Sequence, residues 1–482
     1  MSYDTVIRNA QIVDGSGAAI YQSDIAIVGD RIERIAECID GPAERVVDAE
    51  GLHLAPGFID VHTHDDLEVI LRPQMAAKVS QGVTTVVVGN CGISASPVSL
   101  RGAPPDPLNL LGVEGDFRYP RFADYAAAVE RARPNVNVGA LIGHTSLRNN
   151  QMSSLDRSAS EYELSAMCAQ LREALLEGAL GMSSGLAYAN ARHSDTSEVM
   201  ALAIELGRLG GVYTTHLRTE FDRILEAMGE ALVTAREGRV PLVVSHLKCA
   251  GRGNWGRSGE VLETLENAAA QQKVACDCYP YTASSSTLDL AQVAADADIF
   301  ITWSEPFPDQ GGRPLADIAQ DWNLSLLRAA EKLQPAGAVY HCMSAEDVLN
   351  ILSHPFTMVG SDGLPNDPHP HPRLWGAFPR VIAHYCRELK LFELPVAIHK
   401  MTGLSAREFD LTDRGEIKVG NYADLVLFDF ERIKSTADYR NPQRPAKGIE
   451  SVWVNGAVSY SDGSVQPARS GYLLSRSRQV FL

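Results

Sequence analysis

His62 and His64 stand two residues apart at the end of the run Gly57-Phe58-Ile59-Asp60-Val61. In an extended strand that spacing puts both side chains on one face, and two neutral imidazoles side by side make a good chelate for zinc. The pair alone is a weak signal, because many chains carry one by chance. Two further apolar runs, Val212-Tyr213-Thr214-Thr215 and Leu242-Val243-Val244-Ser245, each end on a single histidine, His216 and His246. Satisfied core histidines are the bland reading, and it leaves unexplained why both close a strand. Cys91 lies in Gly89-Asn90-Cys91-Gly92, directly after Thr84-Thr85-Val86-Val87-Val88, where glycines let backbone approach a ligand closely. A thiolate there would neutralise one charge of a zinc ion and could bridge two metals. Asp362, in Gly360-Ser361-Asp362-Gly363 after another apolar run, reads in isolation as a turn cap. Beside zinc and its histidines it reads as a carboxylate that takes a proton from water and returns it to a leaving amine; zinc brings the pKa of water to about 7.

These six residues are spread over 300 positions, so local sequence does not bring them together. A barrel or doubly wound sheet does, and in a (β/α)8 barrel catalytic groups collect at the C-terminal rim. Eight runs fit such strands: 57–64, 84–88, 138–142, 179–183 (the weakest), 212–215, 242–245, 274–279 and 357–360. Helical patterns at 161–177, 197–209, 221–237 and 259–271 separate them. Buried parallel strands alternating with amphipathic helices predict an α/β fold, and eight units favour a TIM barrel over an open sheet. Both ends of the chain differ from the middle. Segments 3–13 and 24–35, around a Gly15-Ser16-Gly17 turn, and segments 415–417, 423–428 and 451–456 alternate with a period near two, which suits antiparallel β structure. The expected architecture is a small β-sandwich built from residues 1–55 and 412–482, with a catalytic barrel, 56–411, inserted between them.

Composition narrows the function classes. The chain has 482 residues and a formal net charge of −17, so neither nucleic acid nor an anionic membrane is an expected partner. Nothing reaches the roughly 18 consecutive apolar residues of a membrane span, and no basic region with a long apolar core opens the sequence. The eight cysteines are scattered, which suits a reducing cytoplasm better than a disulfide framework. Cys38, Cys168 and Cys386 read as packing residues. So do Cys276 and Cys278, which face the helices if Asp277 and Tyr279 point into the barrel.

Pro56-Gly57-Phe58-Ile59-Asp60-Val61-His62-Thr63-His64 resembles the first-strand motif of the amidohydrolase superfamily, and the histidines of strands 5 and 6 and the aspartate of strand 8 match its remaining pattern. Val88-Gly89-Asn90-Cys91-Gly92, Ser183-Ser184-Gly185-Leu186-Ala187-Tyr188, Ser245-His246-Leu247-Lys248-Cys249, Gly360-Ser361-Asp362-Gly363-Leu364-Pro365 and His369-Pro370-His371-Pro372-Arg373-Leu374-Trp375-Gly376 are similar to the N-acyl-D-amino-acid deacylases (D-aminoacylases), over nearly the whole chain. The resemblance implies zinc-dependent hydrolysis of N-acyl-D-amino acids, with a tight zinc on Cys91, His216 and His246. A second, weaker metal position would lie at His62 and His64. Many amidohydrolases bridge two metals with a carboxylated lysine on strand 4; no lysine stands near Met182-Ser183, consistent with Cys91 in its place. Arg373 matches the guanidinium that binds the substrate's α-carboxylate bidentately. Lys248 and Tyr279 match substrate contacts, and Tyr188 and Ser285 are further candidates. Arg218 gets no role beyond a solvated or structural charge.

Residues from about 282 to 340 exceed a barrel loop and hold Trp303 and Phe307; long insertions at the active face are commonly lids. The early part, 288–293, carries Asp289 and no cation, so neutral, hydrophobic D-side chains are expected rather than D-glutamate or D-aspartate. The other readings are a cyclic amidase of hydantoinase or dihydroorotase type, which would want the bridging lysine, and a metal-free scaffold that binds partners. Intact residues at all six positions argue against the scaffold. The oligomeric state is open at this stage.

Overall fold

Eight short strands alternate with helices along the middle of the chain: Phe58–Asp60, Val83–Val88, Asn137–Gly143, Gly181–Gly185, Val212–His216, Leu242–Val244, Val274–Cys278 and Thr357–Val359. In the computed structural model, which describes residues 2–294 and 297–476, they pair in chain order as one parallel sheet. The first and last strands meet just past their ends. Asp362 N–H donates to His62 C=O at 2.7 Å and His64 N–H to Gly363 C=O at 3.0 Å. That seam closes the sheet into a TIM barrel.

The pleat sorts the strand residues. Ile59, Val87, Leu141, Val243, Ala275 and Met358, each from a different strand, share one buried apolar cluster, as a packed barrel interior requires. Alternate residues such as Val88, Val244, Cys276 and Cys278 belong to a larger cluster with helix residues such as Val261 and Leu265, so the two strand-7 cysteines do face the helices. The expected helices are Glu161–Leu176, Thr196–Leu209, Ile224–Gly238 and Ser258–Ala269. Ser160 starts the first with a reciprocal capping box to Glu163, and Asp195 caps the second by accepting from Glu198 N–H, satisfying N–H groups that a helix start leaves unpaired.

Strands from both ends of the chain form one nine-stranded sheet. Its two arms, with Ile7, Ile25 and Ile27 on one and Leu425, Leu427 and Trp453 on the other, pack into a common core. Two details differ from the sequence reading. Segment 24–35 is a hairpin, Tyr21–Val28 and Arg31–Ala36, because Gly29, at φ +59°, lets a two-residue turn reverse the chain. Segment 415–417 forms no strand. Met1 and 477–482 of the expected β-domain, and 295–296 of the expected insertion, lie outside the described residues.

The insertion is a folded lobe. Ser284–Thr287, Ala336–Tyr340, Ile299–Ser304 and Arg313–Pro314 pair in that order. Helices Leu315–Asp321 and Leu326–Leu333 complete its own core around Ile301, Ile318 and Leu333. Among the described residues, no helix is long and apolar enough to cross a membrane.

Candidate metal centre

Three site residues sit where L-residues rarely go. Cys91, His246 and Asp362 have φ of 54°, 35° and 49°, a left-handed conformation that persists only when its surroundings fix it. For Cys91 the fixing is visible. Gly89, at φ +80°, passes so close to strand 3 that a Cβ would lie 2.1 Å from Leu141 O. Ser183 of strand 4 donates to Gly89 C=O and accepts from Gly92 N–H at 2.9 Å. The strand-4 position where a bridging lysine is absent thus braces the cysteine loop.

All six candidates converge. Cys91 Sγ lies 3.2 Å from His62 Nε2 and 3.3 Å from His246 Nε2, and His246 Nε2 lies 3.0 Å from His216 Nδ1. Donors at zinc-ligand distances around one tetrahedral ion lie about 3.3–3.6 Å apart, so Cys91, His216 and His246 fit one ion. A second group, His62, His64, Cys91 and Asp362, has its donor atoms within 4.8 Å of one another. Asp362 Oδ1 is 3.2 Å from His64 Nε2 and 3.4 Å from His62 Nε2. Burial alone would raise the Cys91 thiol, but His62 and His246 hold it well below its ordinary 9.0, toward the thiolate a metal binds. Burial would likewise raise Asp362, yet the Arg373 guanidinium and His62 hold it well below 3.8.

The candidate substrate residues gather beside this cluster. A cavity of about 630 Å³ is lined by His216, His246, Asp362, Tyr188, Lys248, Tyr279 and Ser285. The hydroxyls of Tyr279 and Ser285 are buried without a hydrogen-bond partner among the described residues, as expected of groups that meet a ligand. Arg373 is fully buried at the start of helix Arg373–Arg380. Its Nη1 lies 2.8 Å from Asp362 Oδ2, its Nη2 donates to Ser285 C=O at 3.2 Å, and its plane covers the Tyr279 ring at 4.6 Å. Lys248 is buried against Glu220, with Nζ 2.5 Å from Oε1. Arg218 is structural: it pairs with Glu230 and donates to the carbonyls of Arg192 and Ser194.

Three residues had no assigned role from sequence. Asp277 approaches His62 Nδ1 at 3.2 Å and accepts from His246 N–H at 3.0 Å, so it orients one ring and anchors another; its inward pleat position was the available signal. Lys78 lies buried beneath the seam, bonded to Asp60, Thr63 and Ser361. Glu220 backs the histidines of strands 5 and 6 and left no pattern in sequence.

The model of the amidohydrolase family matches residues 45–460. The chain is 43% identical to a D-aminoacylase from Alcaligenes xylosoxydans xylosoxydans, over 98% of each chain. It is 45% identical to an N-acyl-D-aspartate deacylase of the same organism, over 98% of this chain and 95% of that one. A solved D-aminoacylase with a binuclear metal centre superimposes with a TM-score of 0.96 at 43% identity, covering 98% of this chain and all of that one. N-acyl-D-glutamate deacylase from Bordetella bronchiseptica, solved with zinc and a phosphonate mimic of the tetrahedral intermediate, superimposes with a TM-score of 0.95 at 40% identity over the same shares. The chain belongs to the amidohydrolase family and, within it, to the D-aminoacylase group of metal-dependent hydrolases.

Proposed function

We propose that this enzyme uses zinc to hydrolyse the amide bond of N-acyl-D-amino acids with neutral, hydrophobic side chains, releasing a carboxylate and the free D-amino acid. The observation that carries the reading is the convergence of Cys91, His216 and His246 beside a carboxylate, Asp362, at the head of the cavity. Those three residues would hold the tight zinc; His62, His64 and Asp362 mark a second, weaker position. Zinc bound there supplies Lewis acidity, which makes hydroxide available near neutral pH and polarises an amide carbonyl. Asp362 takes the proton lost by the attacking water and delivers it to the leaving nitrogen. Arg373 and Tyr279 meet the substrate's α-carboxylate, with Lys248 adding charge beside them and Tyr188 and Ser285 completing the wall. The insertion lobe, whose strand Ser284–Thr287 lines the cavity, acts as its lid. Preference for the D form rests on likeness to the D-specific relatives.

The side-chain preference follows from which charges are already spent. Among the cavity's cations, Arg218 is paired with Glu230 and Lys248 with Glu220, while Ala187, Leu288, Leu290 and Phe221 supply apolar wall. Arg192 also lines the cavity but is exposed; it favours the second reading, an N-acyl-D-glutamate or N-acyl-D-aspartate deacylase. kcat/KM for N-acetyl-D-methionine and N-acetyl-D-leucine should exceed that for N-acetyl-D-glutamate and N-acetyl-D-aspartate by at least about tenfold, since an unpaired buried charge costs more than that. Preference for an acidic substrate reverses the assignment.

A further inference from the structure

Glu220 stands four residues after His216, on the loop that leads from strand Val212–His216 into helix Ile224–Gly238. Its carbonyl accepts from Ala250 N–H and from Asn254 Nδ2, each at 2.9 Å, so the loop is held in place. Its carboxylate faces two rings of the thiolate–imidazole cluster from behind. Oε1 lies 2.9 Å from His246 Nδ1, and Oε2 lies 3.8 Å from His216 Nε2. The opposite nitrogens, His246 Nε2 and His216 Nδ1, are the ones that face each other at 3.0 Å.

A neutral imidazole offers a lone pair at one nitrogen only, and the partner of the other nitrogen decides which. His246 Nδ1 has two neighbours, Glu220 Oε1 and Lys248 Nζ, the latter at 2.8 Å. An ammonium has only protons to give. Were it the partner of Nδ1, the ring proton would sit on Nε2, where a metal needs the lone pair. A carboxylate only accepts, so it places the proton on Nδ1 and frees Nε2. Lys248 Nζ is also 2.5 Å from Oε1, so the ammonium has an acceptor other than the ring nitrogen.

We propose that Glu220 is a positioning residue for the metal: its carboxylate backs the distal nitrogen of His246 and sets the tautomer in which that ring, with His216 and Cys91, faces a single zinc ion. This rests on the zinc-ligand reading of Cys91, His216 and His246. The rival role is compensation of the buried Lys248 charge and nothing more, and zinc affinity separates the two.

The experiment is competition for Zn2+ between a chromophoric chelator and the full-length protein, as wild type, Glu220→Gln, Glu220→Ala, Lys248→Met, the Glu220→Ala/Lys248→Met double variant and Cys91→Ala, with thermal melts to report folding. Loss of a carboxylate behind a ligating histidine weakens metal binding about 10–100-fold, and that is expected for Glu220→Ala. Glu220→Gln, nearly isosteric and with one amide oxygen left to accept, should weaken it less; it carries the test if the alanine variant does not fold. Lys248→Met should bind zinc as wild type does, and the double variant as weakly as Glu220→Ala. Recovery of wild-type affinity in the double variant, or no loss in either Glu220 variant, overturns the positioning role. Undiminished binding by Cys91→Ala overturns the ligand reading beneath it instead.

Discussion

Asp362 keeps its charge because Arg373 sits 2.8 Å away, and it touches both histidines of the H-x-H pair. Asp362→Asn keeps the shape and removes the proton acceptor. It should lower kcat by about a hundred- to ten-thousand-fold while the Cys91 cluster still binds zinc in a chelator competition; unchanged kcat removes Asp362 from the proton path. A second residue-scale effect concerns stability. Glu198 is buried against His144 Nε2 at 2.8 Å, Arg148 Nη1 and Ala159 N–H. Burial would raise its pKa, but His144 and Arg148 bring it to about 2, against an ordinary 4.5. A carboxyl depressed on folding stabilises the native state fully above 4.5, and that contribution fades as pH falls toward 2. The urea midpoint of the wild type should therefore exceed that of Glu198→Gln at pH 7, with the gap narrowing at pH 4 and 3; a constant gap contradicts the ion-pair origin. The six central residues were legible in sequence because each closes an apolar run, where strand parity and flanking glycines say which way a side chain turns. Glu220 was not, because its position depends on the path of a loop, and no periodicity records that.

At the scale of elements, the weak point of a closed barrel is where its last strand meets its first. Lys78, on the turn Ala76–Val79 below the H-x-H strand, is fully buried there. Its ammonium lies 2.7 Å from Asp60 and 3.0 Å from Asp65, and it donates to Ser361 Oγ at 3.0 Å. Asp60 in turn accepts from Ser361 N–H at 2.8 Å, so one cation ties strand 1 to the turn that carries Asp362. Removing one partner of a buried ion pair costs about 3–5 kcal/mol. Lys78→Met should lose that much in denaturant unfolding, and a loss below about 1 kcal/mol, typical of an exposed pair, removes the clamp. The barrel elements were readable because buried strands and amphipathic helices carry different periods. The hairpin at Gly29 was not, since the alternating pattern runs straight through the turn. Nor was the internal order of the insertion, where Ile301, Ile318 and Leu333 meet only through non-local pairing.

At the scale of the whole molecule, a β-domain from both chain ends, a barrel and an inserted lobe divide the labour. The barrel rim brings together residues 300 positions apart, and the lobe supplies the far wall of the cavity. Fold alone does not dictate activity; the claim rests on what converges at the rim. The most direct test is hydrolysis of N-acetyl-D-methionine and N-acetyl-L-methionine by zinc-loaded protein, with Cys91→Ala alongside. Cleavage of the D form alone, lost together with zinc in the variant, is the expected result. Full activity of Cys91→Ala, or cleavage of the L form at an equal rate, would contradict a zinc-dependent deacylase of N-acyl-D-amino acids.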